Sequence, residues 1–212
     1  MATIAVFHPS FGVNPGVEDA AARLRGAGHE VVVVDQYDGR VFGDYERAGD
    51  YVGQVGFPAL MRRAIEGVAG LDDGFVALGF SNGGGMATYV AQHRRVAGVV
   101  VIAGATPLDV IGASEWPAGV PAQLHATVGD PRSFEGAVMS VLRSICDAGA
   151  DGEYVQYPGS GHLFTDPSLP DEYDPAAAAR LWRRVLAFLA AIEVARSAAD
   201  VQRAMQTGRS AG

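Results

Sequence analysis

Short apolar runs alternate along the chain with longer amphipathic stretches. Ile4 to Phe7, Val31 to Val34, Phe75 to Phe80, Val96 to Ala103, Ala122 to Val128 and Glu153 to Tyr157 have the length and residue types of strands. Several are continuously apolar, the pattern of strands covered on both faces. Val17 to Ala27, Gly83 to Gln92, Phe134 to Ala148 and Pro175 to Ile192 carry helical spacing. This alternation predicts an α/β fold, a doubly wound and mostly parallel sheet with helices on both faces. One domain is expected over residues 1–194. From Ala195 to Gly212 the chain is polar and rich in small residues, and a loosely ordered tail is expected there.

Three connections are long. Gln36 to Pro58 carries Tyr37, Phe42, Tyr45, Tyr51 and Phe57; Gly104 to Val120 carries Trp116; Pro158 to Asp174 carries Phe164 and Tyr173. Each follows a strand, so all three converge on the carboxyl edge of the sheet, where open α/β sheets bind ligands.

Composition narrows the function classes. The chain has 212 residues, 49% hydrophobic and 19% charged, which suits one globular core. The net charge is −8, and all 16 basic residues are scattered arginines. Without a basic stripe to release phosphate counterions, nucleic acid is not an expected partner. No apolar run approaches the roughly 20 residues that span a bilayer. Met1-Ala2-Thr3-Ile4 enters the first strand without a leader pattern, so a cytoplasmic protein without membrane attachment is expected. The single cysteine, Cys146, lies among Leu142, Ile145 and Ala148 and reads as a buried structural thiol.

The sharpest local pattern is Gly79-Phe80-Ser81-Asn82-Gly83, with an apolar strand before it and a helical stretch after it. G-x-S-x-G in that context reads as a nucleophile elbow, in which small flanking residues let the chain reverse sharply under a strained serine; the alternative is a glycine-rich βα turn with no chemistry. Serine needs a base and an orienting acid, and in this fold they follow in the order acid, then histidine. His125 lies inside an apolar strand and reads as structural. His162 lies in the turn Gly159-Ser160-Gly161-His162 after the last strand, where a base reaches the elbow. Asp130, in Val128-Gly129-Asp130-Pro131, ends the preceding strand and is the expected acid; Asp109 and Asp166 are weaker candidates. The oxyanion hole is expected from the N–H of Asn82 and one from the turn after the first strand. Pro9 has no N–H, so Ser10 or Phe11 supplies it. His8 beside that turn is expected to floor the pocket or cap a loop. Phe11, Phe42, Tyr45, Trp116, Phe164 and Tyr173 are candidates to line the acyl pocket. No cofactor or metal is expected, and the first turn lacks a phosphate-cradling pattern.

With these motifs quoted, the chain resembles the dienelactone hydrolase family of the α/β-hydrolase superfamily, from Thr3 to about Leu189. The resemblance rests on Phe11-Gly12-Val13-Asn14, Asp35-Gln36-Tyr37-Asp38-Gly39-Arg40, Gly79-Phe80-Ser81-Asn82-Gly83-Gly84, Gly129-Asp130 and Tyr157-Pro158-Gly159-Ser160-Gly161-His162-Leu163-Phe164. It implies Ser81, Asp130 and His162 as catalytic residues and the N–H groups of Ser10 and Asn82 as the oxyanion hole. Two departures stand out. The family's namesake uses a cysteine nucleophile partnered by a glutamate; here the nucleophile is Ser81, with Pro9 in the glutamate's place. The namesake's substrate-binding arginine after the histidine is matched by Asp166, which argues against an anionic lactone. The expected reaction is hydrolysis of a small ester, thioester or lactone by a monomer or homodimer. The alternative is a non-catalytic small-molecule-binding domain on the same scaffold.

Overall fold

The six apolar runs pair edge to edge in the computed structural model, which describes residues 1–209. They form β1 (Thr3–Phe7), β2 (Glu30–Val34), β3 (Phe75–Phe80), β4 (Val96–Ile102), β5 (Ala122–Thr127) and β6 (Gly152–Tyr157). The sheet order is β2-β1-β3-β4-β5-β6, and every neighbouring pair is parallel. Register places Ala5 opposite Val32 on one side and Ala77 on the other.

The helices are α1 (Pro15–Gly26), α2 (Tyr45–Val55), α3 (Phe57–Gly67), α4 (Asn82–His93), α5 (Glu135–Asp147) and α6 (Pro175–Arg209). Period-2 geometry splits each strand between two cores. Ile4, Val6, Val76, Leu78 and Val100 meet Val17 and Leu24 of α1 and Leu181, Val185 and Leu189 of α6. Ala5, Phe7, Ala77, Val101 and Leu124 meet Leu60 of α3, Met86 and Val90 of α4 and Val138, Val141 and Ile145 of α5. Fully burying each Val, Leu, Ile, Phe or Met side chain among these contributes about 1.5–3 kcal/mol, so the two layers pin the sheet from both sides. The order of strand addition reverses at β1, which leaves a crevice between the carboxyl ends of β1 and β3.

Three expectations change. The Gln36 to Pro58 connection is largely helical: Asp44 caps α2 by accepting from the Arg47 N–H, and α3 starts at Phe57 with Pro58 in its first turn. The last helix does not stop at Ile192 but continues to Arg209, so residues 195–209 extend α6 instead of forming a loose tail. Residues 210–212 lie outside the described residues. Cys146 is exposed: one residue beyond the buried Ile145, it turns about 100° around α5, away from the sheet. Among the described residues, no helix is long and apolar enough to cross a membrane.

Candidate active site

The site begins with backbone strain. Ser81 sits between β3 and α4 with φ 50° and ψ −117°, a left-handed value that a side chain adopts only when its surroundings enforce it. The Ser81 N–H donates to the Ile102 carbonyl at 2.7 Å, and the Ser81 carbonyl accepts from the Gly84 N–H at 2.8 Å. Both flanking glycines are sterically required. A Cβ on Gly79 would overlap the Gly83 carbonyl, and one on Gly83 would overlap the Phe7 carbonyl. The crowded turn thus presses the helix start against β1 and lifts the serine side chain above the sheet edge.

His162 arrives from the loop after β6. Its Nε2 accepts from the Ser81 hydroxyl at 2.7 Å, and its Nδ1–H donates to Asp130 Oδ2 at 2.7 Å. Asp130 stands on the loop after β5, where its other oxygen accepts from the Arg132 N–H at 2.8 Å. Burial pushes the Asp130 carboxyl up, but the donors from His162, Arg132 and Ser133 outweigh it and hold the group below its ordinary value. Two parallel strands bring the loops together: the Val128 N–H donates to the Tyr157 carbonyl and the Gly129 N–H to the Gly159 carbonyl, both at 2.9 Å. Residues 81, 130 and 162, far apart in the chain, thus form one hydrogen-bonded line.

A cleft of about 340 Å³ opens over this line. It is lined by Ser81, His162, Ser10 and Asn82, by Tyr45 of α2, and by Arg132 and Phe134 of the loop after β5. Ser10 and Asn82 therefore face the space that the Ser81 hydroxyl faces. Neither backbone N–H donates to a protein group among the described residues, and the Asn82 N–H is one of the free donors of the first turn of α4. Phe11 does not line the cleft; it lies beneath Tyr45, ring centroids 4.5 Å apart.

The other aromatic candidates fall elsewhere because apolar packing claims them. Phe42 packs edge-on to Tyr37 and tilted against Tyr51. Trp116 is buried against the opposite half of the sheet, its indole N–H donating to the Val120 carbonyl at 2.8 Å. Phe164 is fully buried beside Tyr157, and Tyr173 is absent from the lining. Asp166 also turns away. It accepts from Asn14 Nδ2 at 2.7 Å and from the Ser168 hydroxyl at 2.6 Å, in space left open by Gly16. The charged side chain on the cleft is instead the cation of Arg132, whose guanidinium lies 3.5 Å from the Tyr45 ring centroid. Its position two residues after Asp130 was the available sequence clue.

The remaining candidates have structural partners. His125 is buried, its Nδ1 3.0 Å from the Tyr157 hydroxyl, and burial lowers its pKa to about 3. His8 is fully buried; it donates to the Pro9 carbonyl at 2.7 Å and accepts from the Gln36 N–H at 3.1 Å, tying the first turn to the end of β2. Burial lowers its pKa as well. Asp109 accepts from the N–H of its own neighbour, Val110. A larger groove of about 710 Å³ lies at the amino edge of the sheet beside α6, but no serine, cysteine or histidine lines it. No group of three or more His, Cys, Asp or Glu among the described residues is arranged to hold a metal ion.

The doubly wound parallel sheet with a strained serine turn after its third strand is the α/β-hydrolase fold. Within that class the chain belongs to the dienelactone hydrolase family, whose model matches residues 1–193. Among solved structures it is similar to a dienelactone hydrolase-like promiscuous phosphotriesterase from metagenomic libraries, with 21% identity and a TM-score of 0.75 over 91% of this chain and 87% of that one. Esterase 2 of the Planctomycetes species Thermogutta terrifontis, solved with butyrate bound, matches with 15% identity and a TM-score of 0.57 over 89% and 83%. That esterase has also been solved phosphonylated by sarin. No curated protein matches the chain in sequence.

Proposed function

We propose that the protein is a serine hydrolase that cleaves a small ester, thioester or lactone through an acyl-enzyme on Ser81. The observation that carries this reading is the alignment of Ser81 Oγ, His162 and Asp130 through two hydrogen bonds of 2.7 Å. His162 Nε2 takes the hydroxyl proton as Ser81 Oγ bonds to the substrate carbonyl carbon. The charge that develops on the carbonyl oxygen is met by the N–H groups of Ser10 and Asn82. The imidazolium returns its proton to the leaving oxygen or sulfur as the bond to the acyl carbon breaks. Water, deprotonated by the same imidazole, then releases the acid and restores the serine. Asp130, an anion at neutral pH, keeps the Nδ1 proton in place and balances the imidazolium. The family membership and the folds shared with an esterase and a phosphotriesterase support the same chemistry.

The small cleft favours a small substrate. Asp166 points elsewhere and the Arg132 cation lines the cleft, so an anionic acyl group is compatible with this reading. A fluorophosphonate tests the reading: Ser81 Oγ bonds to phosphorus and fluoride leaves. The wild-type protein is expected to gain one covalent adduct on Ser81 by mass spectrometry and to hydrolyse an activated aryl ester. The Ser81→Ala variant should do neither, with a rate at least about 1000-fold lower. An unlabelled wild-type protein would return the molecule to the non-catalytic binding reading.

A further inference from the structure

Resting on the serine-hydrolase reading above, we propose that Glu172 is a positioning residue for His162, its carboxylate clasping the imidazole loop to the Tyr45 wall of the cleft. The loop after β6 is held on both sides of the imidazole by residue 172. On one side, the buried Leu163 N–H donates to Glu172 Oε2 at 2.6 Å. On the other, Gly161 packs so closely on the Glu172 carbonyl that a Cβ would overlap it. The Gly161 carbonyl is tied in turn to the Thr127 hydroxyl at 2.9 Å.

The second carboxylate oxygen reaches α2. Glu172 Oε1 accepts from the Tyr45 hydroxyl at 2.8 Å. The Tyr45 ring stands edge-on to the imidazole, centroids 6.2 Å apart, and carries the Arg132 guanidinium on its face. The Arg132 N–H holds Asp130, and Asp130 holds His162. Six residues thus close a ring of contacts that includes the imidazole: Asp130, His162, Leu163, Glu172, Tyr45 and Arg132. Glu172 is the member that joins the loop after β6 to α2. Burial, and then the bond to Glu172, raise the Tyr45 phenol, so it remains a donor at neutral pH. A carboxylate suits the position because it has an oxygen for each donor, and bonds to a charged acceptor are the stronger kind.

The test compares labelling of Ser81 by a fluorophosphonate, and kcat and KM on an aryl ester, in the wild type, E172A, E172Q and Y45F. Alanine leaves two donors without an acceptor and frees the imidazole, so labelling and kcat should each fall about 10- to 100-fold, with KM changed less than about 3-fold. Glutamine still accepts from the Leu163 N–H and donates its amide to the Tyr45 oxygen, so E172Q should keep a rate within about 3-fold of wild type. Y45F, which retains the ring, should slow labelling about 2- to 5-fold and add nothing further in an E172A background. It carries the test alone if circular dichroism shows E172A unfolded. Labelling of folded E172A at the wild-type rate overturns the proposal. So does a loss confined to KM, or E172Q as slow as E172A. A wild-type protein that takes no label overturns the hydrolase reading itself, a separate result.

Discussion

His125 lies within β5 and His162 in the loop after the neighbouring β6, and their surroundings give the same ring opposite characters. His125 is buried on one face of the sheet, between the Gln123 amide and the Tyr157 hydroxyl. His162 stands at a cleft between a carboxylate and a hydroxyl. The difference has a measurable consequence for stability. The unfolded chain protonates His125 near its ordinary value of 6.5, whereas the folded chain excludes that proton until about pH 3. Between those values the unfolded state holds more protons, so stability is full above pH 6.5 and falls as the pH drops, by up to about 1.4 kcal/mol per pH unit. His8, buried and lowered in the same way, adds to the slope. Asp130 acts in a more acid window: its stabilisation is present above the ordinary carboxylate range and is lost as pH falls through its lowered folded value. Urea titrations from pH 7 to 4 should therefore show a smaller slope in His125→Asn than in wild type. An unchanged slope would place the proton uptake elsewhere.

Among the elements, the β3–turn–α4 unit depends most on residue size. Gly79→Ala is expected to cost more than about 3 kcal/mol, because relief of the clash with the Gly83 carbonyl requires the backbone to move in a packed layer. The denaturant midpoint reads this directly, and a wild-type midpoint would show that the turn has slack. The same unit shows why much of the fold was legible in the sequence. Central strands buried on both faces, such as β3 and β4, are apolar throughout, and the serine turn demands small neighbours, so both leave a local imprint. Ser81, Asp130 and His162 were legible because each directly follows a strand or its turn. The helix α2 was harder to see. Its apolar positions Tyr45, Ala48, Val52 and Val55 have helical spacing, but Gly43, Gly49, Gly53 and Gly56 dilute it with weak helix formers. Glu172 left no local signal and Arg132 only its nearness to Asp130, because their contacts depend on how three loops cross in space. The aromatic candidates misled for a related reason: Trp116 and Phe164 bury more apolar area in the core than a cleft wall offers.

The whole molecule separates a working edge from a passive one. The cleft lies at the carboxyl ends of the strands, while the end of α6 runs past the amino ends, where Arg196 donates to the Gly74 carbonyl at 2.9 Å. The side chains of Ser197, Ala198 and residues 201–206 are exposed. Truncation after Arg196 should therefore leave stability within about 1 kcal/mol of the full chain and the Ser81 labelling rate unchanged, as urea unfolding and mass spectrometry would show. A large loss would mean that this end of α6 braces the sheet. The strand order carries one more consequence, for synthesis on the ribosome. β3 and its serine emerge early and pair centrally, but β6 is both the last strand made and an outer edge of the sheet. Until β6 zips onto β5, no imidazole stands beside Ser81. On the serine-hydrolase reading proposed above, a nascent chain that has folded only its elbow lacks the base, and Ser81 gains it only once β6 and the loop after it have been made.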